Sequence, residues 1–264
     1  MNCYIFDLDG VVTSVTEKRI VQTQILFYFA KLLQEQHAVA INTGRSLDFI
    51  QKQVIIPFSQ YLTEKNLPAN LLDNFFAVGE KGNAFLEDNK EHFDMAVSVP
   101  ETIVAQIRNL TNDYTDTMFF DTTKHTMISL EITTGLDLTL FAKAKEQITP
   151  QLQKILQENH ADDFKIDPSI SAIDIENKNA GKAKGTKQML SWLSKKQVEP
   201  TAFFCFGDSN ADMGMGEELT KQKKNFTFVF VGEPNIIAKQ PEFPIVFTKE
   251  KYEAGVMKYF RAIV

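Results

Sequence analysis

The sequence predicts an α/β protein, a doubly wound parallel sheet interrupted by an inserted α+β domain. Three observations carry this reading. Compact apolar runs alternate with stretches of helical periodicity up to Val78 and again after Lys184. Each of these runs ends on a short polar cluster. Between about Asn83 and Ala180 the rhythm changes to paired strands set among longer helices.

Taken in order, Cys3-Tyr-Ile-Phe is a β-branched and aromatic run that delivers Asp7 and Asp9 onto a turn at Gly10. Residues two apart on a strand point to one face, so the chain has to bend after Asp7, and glycine permits it. Apolar residues from Arg19 to Leu33 recur at helical spacing. Ala38–Asn42 reads as a second strand, followed by Thr43-Gly44-Arg45-Ser46 and a helix expected to close at Pro57. Phe75–Val78 is a third strand, ended by Gly79-Glu80-Lys81-Gly82. The insertion then reads as a helix after Pro100, strands at 117–121 and 127–132, a long helix from Asp137 to Asn159, and short strands around Phe164 and at 172–175. A helix around 187–193 leads to Ala202–Phe206, a continuous apolar run suited to a central strand covered on both faces. Gly207-Asp208-Ser209-Asn210-Ala211-Asp212 follows directly. Phe226–Val231 is read as the last strand and Ala254–Phe260 as the closing helix.

Composition narrows the function classes. With 264 residues, 44% apolar and 11% aromatic, the chain can bury a sizeable core. A formal charge of -6 argues against a nucleic-acid partner held by its phosphate backbone. Cys3 and Cys205 lie inside apolar runs, where a thiol acts as a small hydrophobe, so no structural disulfide is expected. No run approaches the roughly 20 apolar residues of a membrane span, and Asp7 falls where a signal peptide needs its apolar stretch. The chain reads as soluble and cytoplasmic, with no membrane partner. The four histidines show no metal spacing. Lys124 and His125 read as a hairpin turn between two strands of the insertion.

In open sheets of this kind, ligands bind beyond the carboxyl ends of the strands. Asp7/Asp9, Thr43/Gly44/Arg45, Gly79–Gly82 and Asp208/Asp212 all lie at such ends. Crowded carboxylates are kept by a cation or a shared proton, and magnesium takes a few carboxylates plus phosphate and water. An aspartate nucleophile beside an acid/base splits phosphoryl transfer into formation and hydrolysis of an aspartyl-phosphate. Asp7, nearest the strand, suits the nucleophile, and Asp9 the acid/base. Each cluster alone has an ordinary reading as a turn or helix cap. Thr43 with Gly44 offers a hydroxyl and close backbone amides, a phosphate cradle. The stretch Asn177–Thr186 offers a cation for the phosphoryl charge, and residue type alone leaves Lys182 and Lys184 equivalent.

Together these residues resemble the haloacid dehalogenase superfamily of phosphatases, over essentially the whole chain. Asp7-Leu-Asp9-Gly10-Val looks like its first motif, Thr43-Gly44-Arg45 its second, Lys184-Gly185-Thr186 its lysine motif, and Gly207–Asp212 its fourth. The insertion is similar to the C2-type cap of the IIB group, which includes Cof-type, sucrose-phosphate and trehalose-phosphate phosphatases and phosphomannomutases. The resemblance implies a Rossmann-like core at 1–83 and 184–264 and a cap at 84–183. It implies Asp7 as nucleophile and metal ligand, and Asp9 as acid/base and a metal ligand through its carbonyl. It also implies Thr43, Gly44, Arg45, Lys184 and Asn210 around the phosphate, with Asp208 and Asp212 at magnesium. Lys184 is favoured over Lys182 because a Lys-Gly pair opening a helix is the family form. Two departures stand out. Ala211 occupies a place where many relatives have Asn, shifting Asn210 by one, and Gly79–Gly82 only loosely matches the family's Glu-Asn-Gly turn. The expected activity is Mg2+-dependent hydrolysis of a small phosphate ester, a sugar phosphate above others. The alternatives are a sugar phosphomutase of the same fold and a binding module without turnover.

Overall fold

The computed structural model describes residues 1–88 and 90–263. The chain forms two compact units, Met1–His92 together with the chain from Gly181 onward, and Phe93–Ala180.

In the first unit, β1 (Cys3–Phe6) is followed by α1 (Gln24–Gln34), β2 (Ala38–Asn42) and a long helical stretch built from α2 (Leu47–Ile50), a π-helical turn (Gln51–Ile55) and α3 (Ile56–Glu64). Helix α1 starts later than its periodicity suggests, since Ile20 and Val21 precede it. Pro57 does not close the second helix. It occupies the first turn of α3, directly after the π turn, where a proline forfeits no needed N–H. Then come β3 (Phe75–Gly79), β4 (Ala84–Glu87) and β5 (Lys90–Phe93). The last two strands place residues 84–92 with the core rather than with the insertion. β5, Lys-Glu-His-Phe, is the polar, largely exposed edge strand, and β4 is a four-residue strand pairing antiparallel with β3, too short to show a pattern.

The second unit contains α4 (Glu101–Thr111), β6 (Met118–Phe120), β7 (Ile128–Ile132), α5 (Leu138–Glu158), β8 (Phe164–Pro168) and β9 (Ala172–Asn177). Its strands form an antiparallel sheet in the order β6-β7-β9-β8. Ile128, Leu130, Ile173 and Ile175 face α4 and α5, packing on Ile103, Ile107, Phe141, Ile148 and Leu152. By alternation the opposite face carries Ser129 and Asp174, which are hydrogen-bonded to each other, and Lys124 Nζ lies 3.7 Å from Asp174. Lys124 is thus an almost buried ion-pair partner rather than a solvated turn residue.

The core resumes with α6 (Lys182–Lys195), β10 (Phe203–Gly207), α7 (Met213–Lys221), β11 (Phe226–Phe230), β12 (Ile245–Phe247) and α8 (Tyr252–Ile263). Helix α6 begins five residues before the expected 187, at Lys182. Strand β12 has three residues between prolines and loops, too short to register as a pattern. The sheet order is β12-β11-β10-β1-β2-β3-β4-β5, parallel from β12 through β3. Tyr4 and Phe6 face one helical layer, where Phe6 stacks on Phe206 at 4.7 Å and packs against Phe29 and Phe260. Cys3 and Ile5 face the other, with Met189, Trp192 and Cys205. Strand order reverses between β1 and β10, so the loops leaving these two strands diverge and open a crevice at their carboxyl ends.

Candidate active site

Asp7 and Asp208 stand at that reversal. Asp7 continues β1, its N–H donating to Phe206 O at 3.0 Å, and its side chain is largely buried. The bend after it is completed at Gly10, whose φ is +79° and where a Cβ would lie 2.4 Å from Asp208 Oδ2. Glycine therefore lets the two acidic loops touch. Carboxylate oxygens of Asp7, Asp208 and Asp212 all fall within 4.8 Å of one another.

Asp212 is fully buried and organises its own loop. Its Oδ2 accepts from the N–H groups of Asp208 (3.1 Å) and Ser209 (2.9 Å) and from Ser209 Oγ (2.7 Å). Its Oδ1 pairs with Lys182 Nζ at 2.5 Å. The same ammonium meets Asp7 Oδ1 at 2.5 Å and Asn42 O at 2.8 Å. Three oxygens thus surround it, Asp7 Oδ1 and Asn42 O as hydrogen-bond acceptors and Asp212 Oδ1 as an ion-pair partner. Burial alone pushes this ammonium toward neutrality, but the Asp212 and Asp7 carboxylates outweigh it and hold its pKa above the ordinary lysine value.

This arrangement corrects the expectation for Lys184. The cation at Asp7 is Lys182, while Lys184 Nζ donates to Asn83 Oδ1 at 2.6 Å. The cause is where α6 starts. With Gly181 at φ +152° and its N–H bonded to Lys81 O, Lys182 is the first helical residue. Residues two apart on a helix project about 200° apart, so the two lysines cannot share a target.

Two further expectations are redirected. Arg45 binds a carboxylate of the site rather than standing open for phosphate, with Nε 2.7 Å from Asp9 Oδ2 and Nη2 3.1 Å from Asp9 Oδ1. Burial would raise the Asp9 pKa, but the hydrogen bonds and charge of Arg45, aided by Lys18, hold it below the usual value. Asn210 staples the next loop, its Nδ2 donating to Ile236 O at 2.6 Å and its Oδ1 accepting from Ala238 N at 2.9 Å. Both amide atoms are thus engaged in holding that loop. Thr43 is buried at the end of β2, and its Oγ1 accepts from Arg45 N at 3.2 Å, shaping the tight turn through Gly44. Ser46 caps α2, accepting from Phe49 N.

Residues that the sequence reading did not single out complete the frame. Asn42 Nδ2 donates to Lys182 O at 2.9 Å and fixes the start of α6. A Cβ on Gly185 would lie 2.1 Å from Asn42 Oδ1, so glycine is needed where the helix meets β2. Asn42 ends the β2 run and Gly185 lies in the lysine motif, but only their contact reveals the role.

The electrostatics point to a missing positive charge. Four carboxylates (Asp7, Asp9, Asp208, Asp212) face two ammonium groups, Lys182 and Lys18 (3.7 Å from Asp9 Oδ1), and the Arg45 guanidinium, a deficit of one. Burial raises Asp7 to about 7, with Lys182 opposing and Asp212 adding to the rise. Burial, then the charges of Asp7 and Asp212, raise Asp208 to about 8. The oxygen donors and the excess negative charge suit a hard divalent cation. Raised carboxyl pKa values also set a stability trend. Between the ordinary value near 4 and about 8, the folded state binds protons that the unfolded state has released, so stability falls as pH rises. We expect the Tm of metal-free wild type to drop relative to Asp208→Asn between pH 5 and pH 8. Parallel melting curves would refute the electrostatic conflict.

No protein-family model and no curated protein matches this sequence. Solved structures do match it in fold. The C-terminal domain of C. albicans trehalose-6-phosphate phosphatase aligns at a TM-score of 0.68 and 15% identity, covering 99% of this chain and 91% of that one. A haloacid dehalogenase-like hydrolase from Bacteroides thetaiotaomicron aligns at 0.63 and 11%, covering 100% and 99%. The sucrose-phosphatase of Synechocystis, solved with sucrose and phosphate, aligns at 0.57 and 13%, covering 98% and 96%. The fold is therefore that of the haloacid dehalogenase-like hydrolases. Among the structures that share it over nearly their whole length are phosphatases of sugar phosphates.

Proposed function

We propose that this protein is a Mg2+-dependent phosphatase that hydrolyses a small sugar phosphate through an aspartyl-phosphate on Asp7. One observation carries the reading: Asp7, held by the buried ammonium of Lys182, lies within 4.8 Å of two further carboxylates at the strand reversal. The names of the structurally similar phosphatases support the substrate class.

The chemistry runs in two steps. An Asp7 carboxylate oxygen attacks phosphorus, the P–O bond to the sugar breaks, and Asp9 gives its proton to the leaving alkoxide. Water, deprotonated by Asp9, then attacks the phosphoaspartate, releasing inorganic phosphate and restoring Asp7. The Arg45 clamp favours the Asp9 carboxylate that the second step needs. An incoming dianion opposes that clamp, since like charge raises a carboxyl pKa, and so favours the protonated form that the first step needs. Lys182 keeps Asp7 oriented and balances charge, and the Thr43–Gly44 turn seats the phosphoryl oxygens. Asp7, Asp208 and Asp212 would hold Mg2+, which screens the incoming phosphate from the acidic site. With its net negative charge, the protein is read as a cytoplasmic enzyme of diffusible metabolites, without nucleic-acid or membrane partners.

The test is a panel of sugar phosphates and other phosphometabolites with Mg2+ or with chelator. We expect Mg2+-dependent release of inorganic phosphate with the free sugar as co-product. Isomerised sugar phosphate without free phosphate would replace hydrolysis with a mutase reaction, and no turnover on any ester would overturn the reading.

A further inference from the structure

The loop at 14–19, a few residues past Gly10, carries a cation into the site. Ser14 closes it: its Oγ accepts from Thr16 N and Glu17 N at 3.3 Å each, its carbonyl oxygen accepts from Lys18 N (3.0 Å), and its N–H donates to Arg19 O (3.0 Å). A serine turned onto the amides that follow it fixes a turn in this way. Lys18 takes the left-handed position of that turn, with φ +53°, and its Nζ stands 3.7 Å from Asp9 Oδ1.

Arg45 already holds Asp9, binding both of its oxygens at 2.7 and 3.1 Å in the paired geometry that suits a guanidinium. Lys18 stands in ion-pair range of Asp9 but beyond a hydrogen bond, so this contact leaves its N–H donors for another acceptor. Exposure gives the direction in which that acceptor lies. Side chains run from 0% exposed at Asp212 and 12% at Asp7 to 29% at Asp9 and 40% at Lys18, outward from the buried nucleophile. A leaving group has to depart toward solvent, which places it on the Asp9 and Lys18 side. To protonate the leaving oxygen, Asp9 has to come within about 3 Å of it, so with Oδ1 as the donor that oxygen lies no further than about 7 Å from the Lys18 ammonium. The flexible four-carbon stem of a lysine can close such a gap.

We propose that Lys18 is a specificity-determining residue whose ammonium donates to a hydroxyl or ring oxygen of the departing sugar. This rests on the phosphate-ester reading above. It separates three tasks: Lys182 holds the nucleophile, Arg45 holds the acid/base, and Lys18 reads the leaving group. The panel of sugar phosphates is run with Mg2+ beside 4-nitrophenyl phosphate, whose leaving group has no neighbouring hydroxyl, on wild type, Lys18→Asn and Lys18→Arg. Asparagine tolerates the left-handed backbone, so Lys18→Asn removes the ammonium while keeping the turn, and its Tm checks the fold. The quantity read is kcat/KM for the preferred sugar phosphate divided by kcat/KM for 4-nitrophenyl phosphate. This ratio is expected to fall about tenfold in Lys18→Asn, through KM more than kcat, and to recover in Lys18→Arg, in line with a lost charge-assisted hydrogen bond. A folded Lys18→Asn whose ratio stays within twofold of wild type, whatever its loss in absolute rate, would overturn the assignment of Lys18 alone. Wild type that hydrolyses no sugar phosphate would overturn the underlying reading and this assignment with it.

Discussion

Asp7→Asn is expected to lower Mg2+-dependent phosphate release from any substrate by roughly four orders of magnitude or more, the scale on which removing a nucleophile acts. An amide oxygen can still accept from Lys182 Nζ, so the buried ammonium keeps its contacts to residue 7, Asp212 and Asn42 O. The fold should therefore survive. Replacing a carboxylate also relieves the repulsion that, after burial, contributes to raising Asp208 to about 8. Metal-free Asp7→Asn should melt no lower than wild type at pH 8, while Mg2+ raises its Tm less. Steady-state phosphate release and calorimetric melting read both effects. Turnover within tenfold of wild type would remove Asp7 from the chemistry and leave the acidic cluster as a metal or structural site.

Lys182→Met and Lys184→Met separate the two lysines, and the contrast should be large. Methionine at 182 leaves Asp7 and Asp212 facing each other in a buried site with their shared cation gone. Breaking a buried ion pair on one side costs about 3–5 kcal/mol. For a protein of this size that is a Tm loss on the order of 10 °C, and activity should be abolished. At 184, methionine removes a bond to Asn83 Oδ1 from a half-buried side chain, and its stability loss should be about 1 kcal/mol. Should Lys182→Met prove too unstable to purify, Lys182→Arg retains a cation and tests position alone: a guanidinium does not fit three acceptors clustered around one nitrogen. Equal effects at the two positions would contradict the geometry of α6.

Much of this was legible in the chain. The alternation of apolar runs and helices identifies the doubly wound core, because strands covered on both faces need continuous apolar sequence. The change of rhythm after Asn83 marks the insertion. The edges escaped because they are short or polar: β4 has four residues and β12 three, too few to set up a pattern, and β5 is Lys-Glu-His-Phe. The helix through Pro57 escaped because a π turn accommodates what a regular α-helix cannot.

Within the site the division is sharper. Residue type and position relative to the strand ends singled out Asp7, Asp9, Thr43, Gly44, Arg45, Asp208 and Asp212 as one constellation, since backbone topology alone brings strand ends together. Which cation meets which carboxylate was a tertiary matter. Arg45 and Asp9 are distant in sequence, as are Lys182 and Asp7; the first pair depends on the turn after β2 and the second on where α6 starts. Asn210 shows the same limit, its amide being used by a loop that no pattern announces. The two crowded acids that follow β1 are therefore a property of the sequence. Their unequal states, Asp7 held beside a buried ammonium with a raised pKa and Asp9 clamped by a guanidinium with a lowered one, exist only in the folded chain. Charge and burial act through space, and the distances that set them are fixed only when β1, β2, α6 and β10 pack together.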